Sequence, residues 1–275
     1  MTQIALIGAG GKMGFRLSAN LAASDFAVRH VEISEAGRRR LRDELGVTCV
    51  DSAEALDGAD AVILAVPDTL IGKISGELEP RLESGTLVIA LDAAAPFAGH
   101  LPDRDDLAYF VTHPCHPPIF NDETDLEAKR DYFGGFRAKQ GVVNALMQGP
   151  DEIYELGEAI SKVIYAPVSR CYRVTVEQMA LLEPGLSETV CATLLDTLRE
   201  AMDEVVARGV PADAARAFLL GHMNILSAVI FGEIEGSFSD ACYKAIKFGK
   251  PEIIQSDWKK VFEPDALAAS IQRIT

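Results

Sequence analysis

The chain has 275 residues, 48% of them hydrophobic and 24% charged, which is the balance of a globular protein rather than a disordered one. Its 41 acidic and 26 basic residues give a formal net charge of −15, and such a surface repels nucleic acid and anionic membranes. We therefore expect no nucleic-acid partner and no membrane partner.

The lack of recognisable targeting signals and the pattern of cysteines both favour a cytoplasmic location. No apolar run approaches the roughly 18 residues that cross a bilayer, and the first residues lack the basic segment and cleavage site of a signal peptide. The five cysteines are scattered and form no CxxC pair. Reduced thiols in a cytoplasmic protein fit this pattern better than a disulfide framework or a zinc site.

Short apolar runs alternate with amphipathic segments in the first part of the chain. This alternation of strands and helices predicts parallel βαβ units with right-handed crossovers. The predicted strands cover residues 3–7, 28–33, 47–50, 61–66, 85–91, 109–112, 141–148 and 163–168. The predicted helices cover residues 13–23, 37–45, 70–82 and 151–162.

The pattern becomes helical from about residue 175. Apolar spacing is sustained over residues 188–208 and stops at Gly209, a helix C-cap signal with Pro211 just beyond it. Further helices are predicted over residues 212–231 and 239–246. We place a domain boundary near residue 169, which gives a first domain of residues 1–168 and a helical domain of residues 169–275.

A glycine-rich turn separates the first strand from the first helix. Glycines allow a tight turn and let the backbone approach a pyrophosphate, which the start of the next helix can bind through its free N–H groups. In this strand–turn–helix context the turn predicts a dinucleotide-binding site. Its residues are Gly8, Ala9, Gly10, Gly11, Lys12, Met13 and Gly14. The predicted fold class is therefore an α/β Rossmann domain with a doubly wound, mainly parallel sheet, followed by an all-α domain.

An acidic residue at the end of the second predicted strand indicates which dinucleotide binds. Glu32 lies where a carboxylate can accept hydrogen bonds from the adenosine ribose, whereas a 2′-phosphate there would meet a like charge. NAD is therefore favoured over NADP. The alternative rests on Arg38, Arg39 and Arg40, which could bind a phosphate but are more typical of a solvated helix face.

Further candidates follow the later strands. Val66, Pro67 and Asp68 lie at the end of the fourth predicted strand, and a run of alanines follows Asp92 after the fifth. Open α/β sheets hold their ligands at the carboxyl ends of strands, so we assign Val66, Pro67 and Asp68 to the cofactor site. Ordinary connecting loops are the alternative.

The segment 112–118 contains two histidines in a loop stiffened by three prolines. A histidine can take the proton of a substrate hydroxyl as hydride leaves the same carbon, or it can bind a metal. An inert loop histidine is the alternative. We predict that His113 is the catalytic base.

Pro184 and Gly185 interrupt the helical pattern between two carboxylates, Glu183 and Glu188. A carboxylate together with an imidazole suits zinc, magnesium or manganese. We predict a divalent metal site shared by His116 and Glu188, with Glu183 as a spare ligand. The alternatives are helix capping by Glu183 and a surface position for Glu188.

With these residues the chain resembles the 6-phosphogluconate dehydrogenase-like superfamily, which joins a Rossmann domain to an all-helical one. The Gly-x-Gly-Gly-x-Met-Gly turn and the His-Pro loop are similar to those of prephenate dehydrogenase, whose catalytic histidine corresponds to His113. The interrupted helix is similar in position to the metal-binding helix of ketol-acid reductoisomerase. The Lys-x-x-x-Asn signature of β-hydroxyacid dehydrogenases is absent, and Ser187-Glu188 takes its place.

Over both domains the chain resembles the D-apionate oxidoisomerase group. The resemblance implies that NAD oxidises the C2 hydroxyl of a branched sugar acid, and that a hydroxymethyl group then migrates from C3 to C2 with help from a metal. It implies His113 as base and a Lewis acid at His116 and Glu188. Two other hypotheses stay open: an NAD-dependent hydroxyacid dehydrogenase without metal, and a non-catalytic NAD-binding regulator.

The predicted helix over residues 212–231 carries more apolar surface than a small domain can cover. Helical second domains of this type commonly bury an apolar face against a partner subunit. We therefore expect a homodimer.

Overall fold

The computed structural model describes all 275 residues, which divide into two compact units. The first, called here the sheet unit, contains residues Met1–Glu183 and Ala268–Thr275. The second, the helical unit, contains residues Pro184–Leu267. No helix is long and apolar enough to cross a membrane.

A seven-stranded sheet with the order β2-β1-β3-β4-β5-β6-β7 forms the centre of the sheet unit. The strands are β1 Gln3–Ile7, β2 Ala27–Val31, β3 Ala61–Leu64, β4 Leu87–Ala90, β5 Ala108–Pro114, β6 Gln140–Gln148 and β7 Val168–Arg173. The first five run parallel, β6 is antiparallel to β5, and β7 is parallel to β6. The mainly parallel Rossmann-like sheet that the sequence predicts is therefore confirmed.

Helices cover both faces of this sheet. They are α1 Lys12–Leu21, α2 Glu35–Leu45, α3 Ser52–Leu56, α4 Asp68–Leu78, α5 Ala94–Phe97, α6 Leu126–Arg130, α7 Ile153–Ile164 and α8 Val176–Ala180. Alternate strand residues serve the two cores. In β1, Ile4 and Leu6 pack with residues of α1 and α7, whereas Ala5 and Ile7 pack with residues of α3 and α4. Strands buried on both faces are apolar throughout, which explains the continuous apolar runs in the sequence.

The helical unit consists of long helices joined by short turns. Wide π-helical turns over Leu181–Ala192 lead into α9 Thr193–Ala207, which is followed by α10 Ala212–Ile230 and α11 Asp240–Ile253. A final helix, α12 Pro264–Ile274, ends in the sheet unit. Helices α9 and α11 have no buried residue, and α10 buries only Ala215 and Ala228. Three long helices thus lack a core of their own.

Two predicted strands differ in the structure. Residues 47–50 form no strand, although the Val50 amide donates a 2.9 Å hydrogen bond to the His30 carbonyl of β2. In the predicted strand over residues 163–168, the first two residues end α7 and the next three form a turn. Strand β7 begins only at Val168 and continues to Arg173. Most side chains of β7 are exposed, so it has no apolar run to reveal it.

The division between the units also differs from the predicted boundary near residue 169. Pairing of β7 with β6 extends the sheet beyond that position, and α8 packs on the same sheet through Val176 and Met179. The compact units therefore separate after Glu183. Pro184 and Gly185 do not break the helix, because residues 181–192 stay helical in wide turns.

Candidate functional site

The glycine-rich turn joins β1 to α1. Gly8 has a φ of +79°, which costs glycine little. A Cβ atom at Gly14 would lie 2.0 Å from the Gly8 carbonyl oxygen, and one at Gly10 would lie 2.7 Å from the Gly37 Cα. No side chain caps the N-terminus of α1 at Gly11. The amides of its first turn are therefore oriented as a phosphate-binding helix start requires.

Glu32 lies beside this turn with 7% of its surface exposed. One carboxylate oxygen, Oε2, accepts a 2.8 Å hydrogen bond from the Gly10 amide, and Oε1 accepts a 2.7 Å bond from the Ser34 amide. A carboxylate has about four acceptor positions, so two remain for ribose hydroxyls. This arrangement fits the role that the sequence predicts for Glu32.

The arginine run interacts with the protein itself. Arg38 Nε donates a hydrogen bond to the Glu32 backbone carbonyl, and the Arg40 guanidinium lies 3.6 Å from the centre of the Phe15 ring. Arg40 also forms an exposed ion pair with Glu44 on the same helix. Two of the three arginines thus have partners other than a phosphate.

A cavity of about 390 Å³ opens next to the glycine turn, at the carboxyl ends of the central strands. Eight of the predicted site residues line it: Gly11, Lys12, Met13, Val66, Pro67, Asp68, His113 and His116. Asp92, which follows the fifth predicted strand, lines it as well, and so does Phe133, which was not predicted from the sequence. Nucleotide-binding and proton-transfer candidates therefore share one cavity, as expected for a redox enzyme.

Asp92, His113 and Glu183 form a cluster inside the sheet unit. Each offers one ligand atom, and these atoms lie within 4.8 Å of one another. His113 Nε2 is 3.9 Å from Asp92 Oδ2 and 3.9 Å from Glu183 Oε1. Burial lowers the pKa of His113, and the nearby His116 adds to this effect while Asp92 opposes it. The environment of the ring favours its neutral form.

His116 has an unusual backbone. Its φ of +60° is the one positive value outside glycine, and such strain is concentrated at functional sites. Its Nδ1 lies 2.8 Å from the Phe133 carbonyl oxygen, and its ring centre lies 5.9 Å from that of His113. A carbonyl oxygen only accepts, so Nδ1 donates and Nε2 is left as the acceptor of the neutral ring.

Phe133 is held in place by cations from α1. The Arg16 guanidinium lies 4.3 Å from the Phe133 ring centre, and Lys12 Nζ lies 4.8 Å from it. The Asp131 carboxylate accepts hydrogen bonds from four backbone amides of the same loop, those of residues 134, 136, 137 and 138. This loop orients His116, and no motif in the sequence reveals it.

The predicted metal pair, His116 and Glu188, stays a prediction. Neither residue belongs to the cluster of ligand atoms, whereas Glu183, the predicted spare ligand, does. Glu188 lies in the helical unit, in the wide turns that follow Pro184.

Residues 121–275 match the family model for the C-terminal domain of decarboxylating phosphogluconate dehydrogenase, and residues 3–95 match the model for coenzyme F420-dependent NADP oxidoreductases. The chain is 68% identical to a D-apionate oxidoisomerase from Cupriavidus necator, over 99% of both chains. A D-apionate oxidoisomerase from Rhizobium rhizogenes is also 68% identical, over the full length of both. The chain belongs to the D-apionate oxidoisomerase family. This confirms the family resemblance seen in the sequence.

Solved structures share the fold of this chain. A Semialdehyde dehydrogenase NAD-binding protein from Cupriavidus necator, in complex with calcium and NAD, is 68% identical with a TM-score of 0.99 over all of both chains. An NADH-preferring ketol-acid reductoisomerase from an uncultured archaeon has a TM-score of 0.71 at 17% identity, covering 98% of this chain and 82% of its own. The second likeness concerns the fold alone.

Proposed function

We propose that this chain is an NAD-dependent oxidoisomerase that converts D-apionate to 3-oxo-isoapionate. The observation that carries the proposal is the full-length identity of 68% to D-apionate oxidoisomerases. The cavity supports it, because dinucleotide-binding residues and two histidines line the same space. The cluster of Asp92, His113 and Glu183 is also suited to a divalent cation, which the isomerisation step would use.

The reaction has two balanced steps. Oxidation removes a hydride from C2 and a proton from the C2 hydroxyl, which yields a C2 ketone, NADH and one proton. In the isomerisation the bond between C3 and one hydroxymethyl carbon breaks as that carbon bonds to C2. The C3 hydroxyl loses its proton to become a ketone, and the former C2 carbonyl oxygen gains a proton. When bound, NAD would accept the hydride, and a divalent cation would supply Lewis-acid catalysis for the isomerisation.

The protein's own residues bind, orient and move protons. We assign cofactor binding to the glycine turn from Gly8 to Gly14, to Glu32, and to Val66, Pro67 and Asp68. Glu32 favours NAD because its buried carboxylate would repel a 2′-phosphate. A cavity histidine takes the proton of the substrate hydroxyl, since imidazole titrates near neutral pH.

One experiment separates this function from that of a simple dehydrogenase. The purified protein is incubated with NAD, D-apionate and a divalent metal, NADH is followed by absorbance, and the product is examined by ¹³C NMR. The simple oxidation product and 3-oxo-isoapionate have the same mass, so the carbon skeleton decides. We expect a ketone between C2 and a hydroxymethyl carbon. A C2 ketone, with the branch still at C3, would identify a dehydrogenase without isomerase activity.

We also propose that the functional form is a cytoplasmic homodimer. The helical unit leaves large apolar side chains exposed on α9, α10 and α11, among them Leu195, Phe218 and Phe248. Exposed patches of this kind typically mark an interface. The five cysteines are all unpaired, which fits a reducing compartment. Light scattering should give twice the chain mass, and a mass equal to one chain would overturn the dimer.

A further inference from the structure

We propose that Asp92, His113 and Glu183 bind a divalent cation, and that His116 is the base beside it. The catalytic role of the cation rests on the proposed function, whereas its binding does not. The sequence assigned the two histidines the opposite way, with His113 as base and His116 as metal ligand.

Hydrogen bonds at the edge of the cluster determine which of its oxygen and nitrogen atoms can act as metal ligands. Asp92 Oδ1 accepts a 2.6 Å hydrogen bond from the Ala94 amide, and the other oxygen, Oδ2, is the one near His113. His113 Nδ1 lies 2.8 Å from the Pro114 carbonyl oxygen, so it carries a proton and donates. In the neutral ring, Nε2 is then a lone-pair donor. Three potential electron-pair donors therefore converge, one from each side chain.

The distances distinguish a cation site from an ion pair. A protonated His113 would need one of the carboxylate oxygens within hydrogen-bond reach, but both lie 3.9 Å from Nε2. Divalent cations bind nitrogen and oxygen ligands at about 2.0–2.6 Å, so two ligands of one ion are separated by roughly 3–5 Å. The separations of 3.9 Å to 4.8 Å in the cluster fall in this range.

Burial and charge also favour a cation. The exposed fractions of the three side chains are 21% for His113, 17% for Asp92 and 16% for Glu183, so the group is mostly shielded from water. Two shielded carboxylates side by side repel each other unless a positive charge compensates them. Three protein ligands also leave open positions for substrate oxygens, which is typical of catalytic metal sites.

The backbone around Glu183 is unusual as well. Glu183 lies near the start of the π-helical turns of Leu181–Ala192, directly before Pro184. Wide turns of this type are rare and are found frequently at functional sites, because they shift a side chain away from its α-helical position.

His116 becomes the base by the same reasoning. An Nε2 atom that binds a cation cannot also accept the substrate proton, and His116 is the other histidine of the cavity. The Phe133 carbonyl fixes its tautomer through Nδ1, so that Nε2 is the acceptor. We therefore expect proton transfer at His116 Nε2.

The test uses Mn²⁺ as a probe with the NAD-loaded protein, and follows free Mn²⁺ by electron paramagnetic resonance. The wild type should bind one Mn²⁺ per chain, and Asp92→Asn, His113→Gln and Glu183→Gln should each weaken binding at least about tenfold. Glu155→Gln is the control, since it removes an exposed carboxylate of α7 in the sheet unit, outside both the cluster and the cavity, and it should keep Mn²⁺ affinity. Calorimetry with NAD verifies that each variant is folded.

His116→Gln separates the two histidines. It should retain Mn²⁺ affinity but lower kcat by about 100-fold or more, whereas His113→Gln should lose Mn²⁺. Wild-type protein that leaves the free Mn²⁺ signal unchanged would overturn the cation site, as would cluster variants that bind like the wild type. Mn²⁺ binding without turnover of D-apionate would contradict the proposed function alone. Turnover without any Mn²⁺ binding would contradict the cation site alone.

Discussion

The sheet unit and the helical unit bury their apolar side chains in different ways. In the sheet unit, β1, β3 and β4 are buried along nearly their whole length between two clusters of helices. In the helical unit, neither α9 nor α11 has a fully buried residue, and the side chain of Phe248 is 74% exposed. The first unit has its own core, whereas the second leaves large apolar side chains exposed, which the proposed dimer would cover. Stability in the second unit should therefore depend on protein concentration.

Substitution of glycine by alanine should give the largest contrast between the units. In Gly14→Ala the new Cβ would lie 2.0 Å from the Gly8 carbonyl oxygen, so the turn must distort. We expect a loss of about 3 kcal/mol or more in the free energy of unfolding, together with loss of NAD binding. Denaturant unfolding and calorimetry with NAD measure the two effects.

The matched control is Gly221→Ala in α10, where a Cβ would meet nothing within 4 Å. Alanine is a better helix former than glycine, so this variant should be more stable by about 0.5–1 kcal/mol. Equal destabilisation of both variants would mean that the helical unit is as closely packed around its glycine as the turn is.

Protein concentration should affect the melting temperature next most strongly. If a second copy covers the helical unit, folding and association are linked and Tm rises with concentration. Differential scanning calorimetry over a roughly hundredfold range of concentration should show a shift of several degrees. A Tm that does not change with concentration would contradict the expected dimer.

A buried carboxyl group should make the stability of the sheet unit depend on pH. Burial raises the pKa of Glu79 to about 7, and its side chain is hydrogen-bonded to the Tyr109 hydroxyl at 2.7 Å. Because the folded-state pKa lies above the unfolded value of about 4.5, stability is highest below pH 4.5 for this group and falls as the pH rises to 7. The expected change is on the order of 1–3 kcal/mol.

Glu79→Gln should abolish this contribution, since glutamine imitates the protonated acid and can still bond to Tyr109. Urea unfolding at several pH values measures the slope for wild type and variant. Glu200→Gln on the exposed face of α9 is the control and should leave the slope unchanged. An unaltered slope in Glu79→Gln would show that another group causes the pH dependence.

The smallest expected effect concerns the start of α8, the last helix of the sheet unit before the wide turns. Thr175 and Gln178 form a capping box, in which each side chain bonds to the backbone of the other residue. Thr175→Ala should cost about 1 kcal/mol, measured by urea unfolding. Thr175→Ser keeps the hydroxyl and should be nearly neutral. A loss of similar size in the serine variant would point to packing of the methyl group instead.

Local features of the sequence were sufficient for much of the fold. The buried strand β1, the glycine turn and the start of α1 follow one another within a few residues, and each has a distinct pattern. Strand β7 was misplaced because four of its six side chains are exposed and none is fully buried, so pairing with β6 alone defines it. An edge strand with mostly exposed side chains lacks the apolar run by which a buried strand is recognised in a sequence.

The candidate site was harder to predict, because it combines distant residues. Asp92 follows β4, His113 lies near the end of β5, and Glu183 lies within the wide turns of Leu181–Ala192, so only the fold brings them together. The directions of the histidine rings depend on single carbonyl groups, those of Pro114 and Phe133. The spacing of residues in the sequence does not show in which direction a histidine ring points. The sequence therefore predicts which residue types lie near the site, but not which ring nitrogen faces the cavity.

The two backbone amides that bond to Glu32 also bear on attempts to change the dinucleotide. Replacing this glutamate by a neutral or basic residue would remove the like charge that disfavours NADP, but it would also leave the Gly10 and Ser34 amides without their acceptor. Each lost acceptor costs about 1–3 kcal/mol when the amide stays buried. Redesign of coenzyme preference in this chain therefore requires a second substitution that supplies new acceptors for the loop.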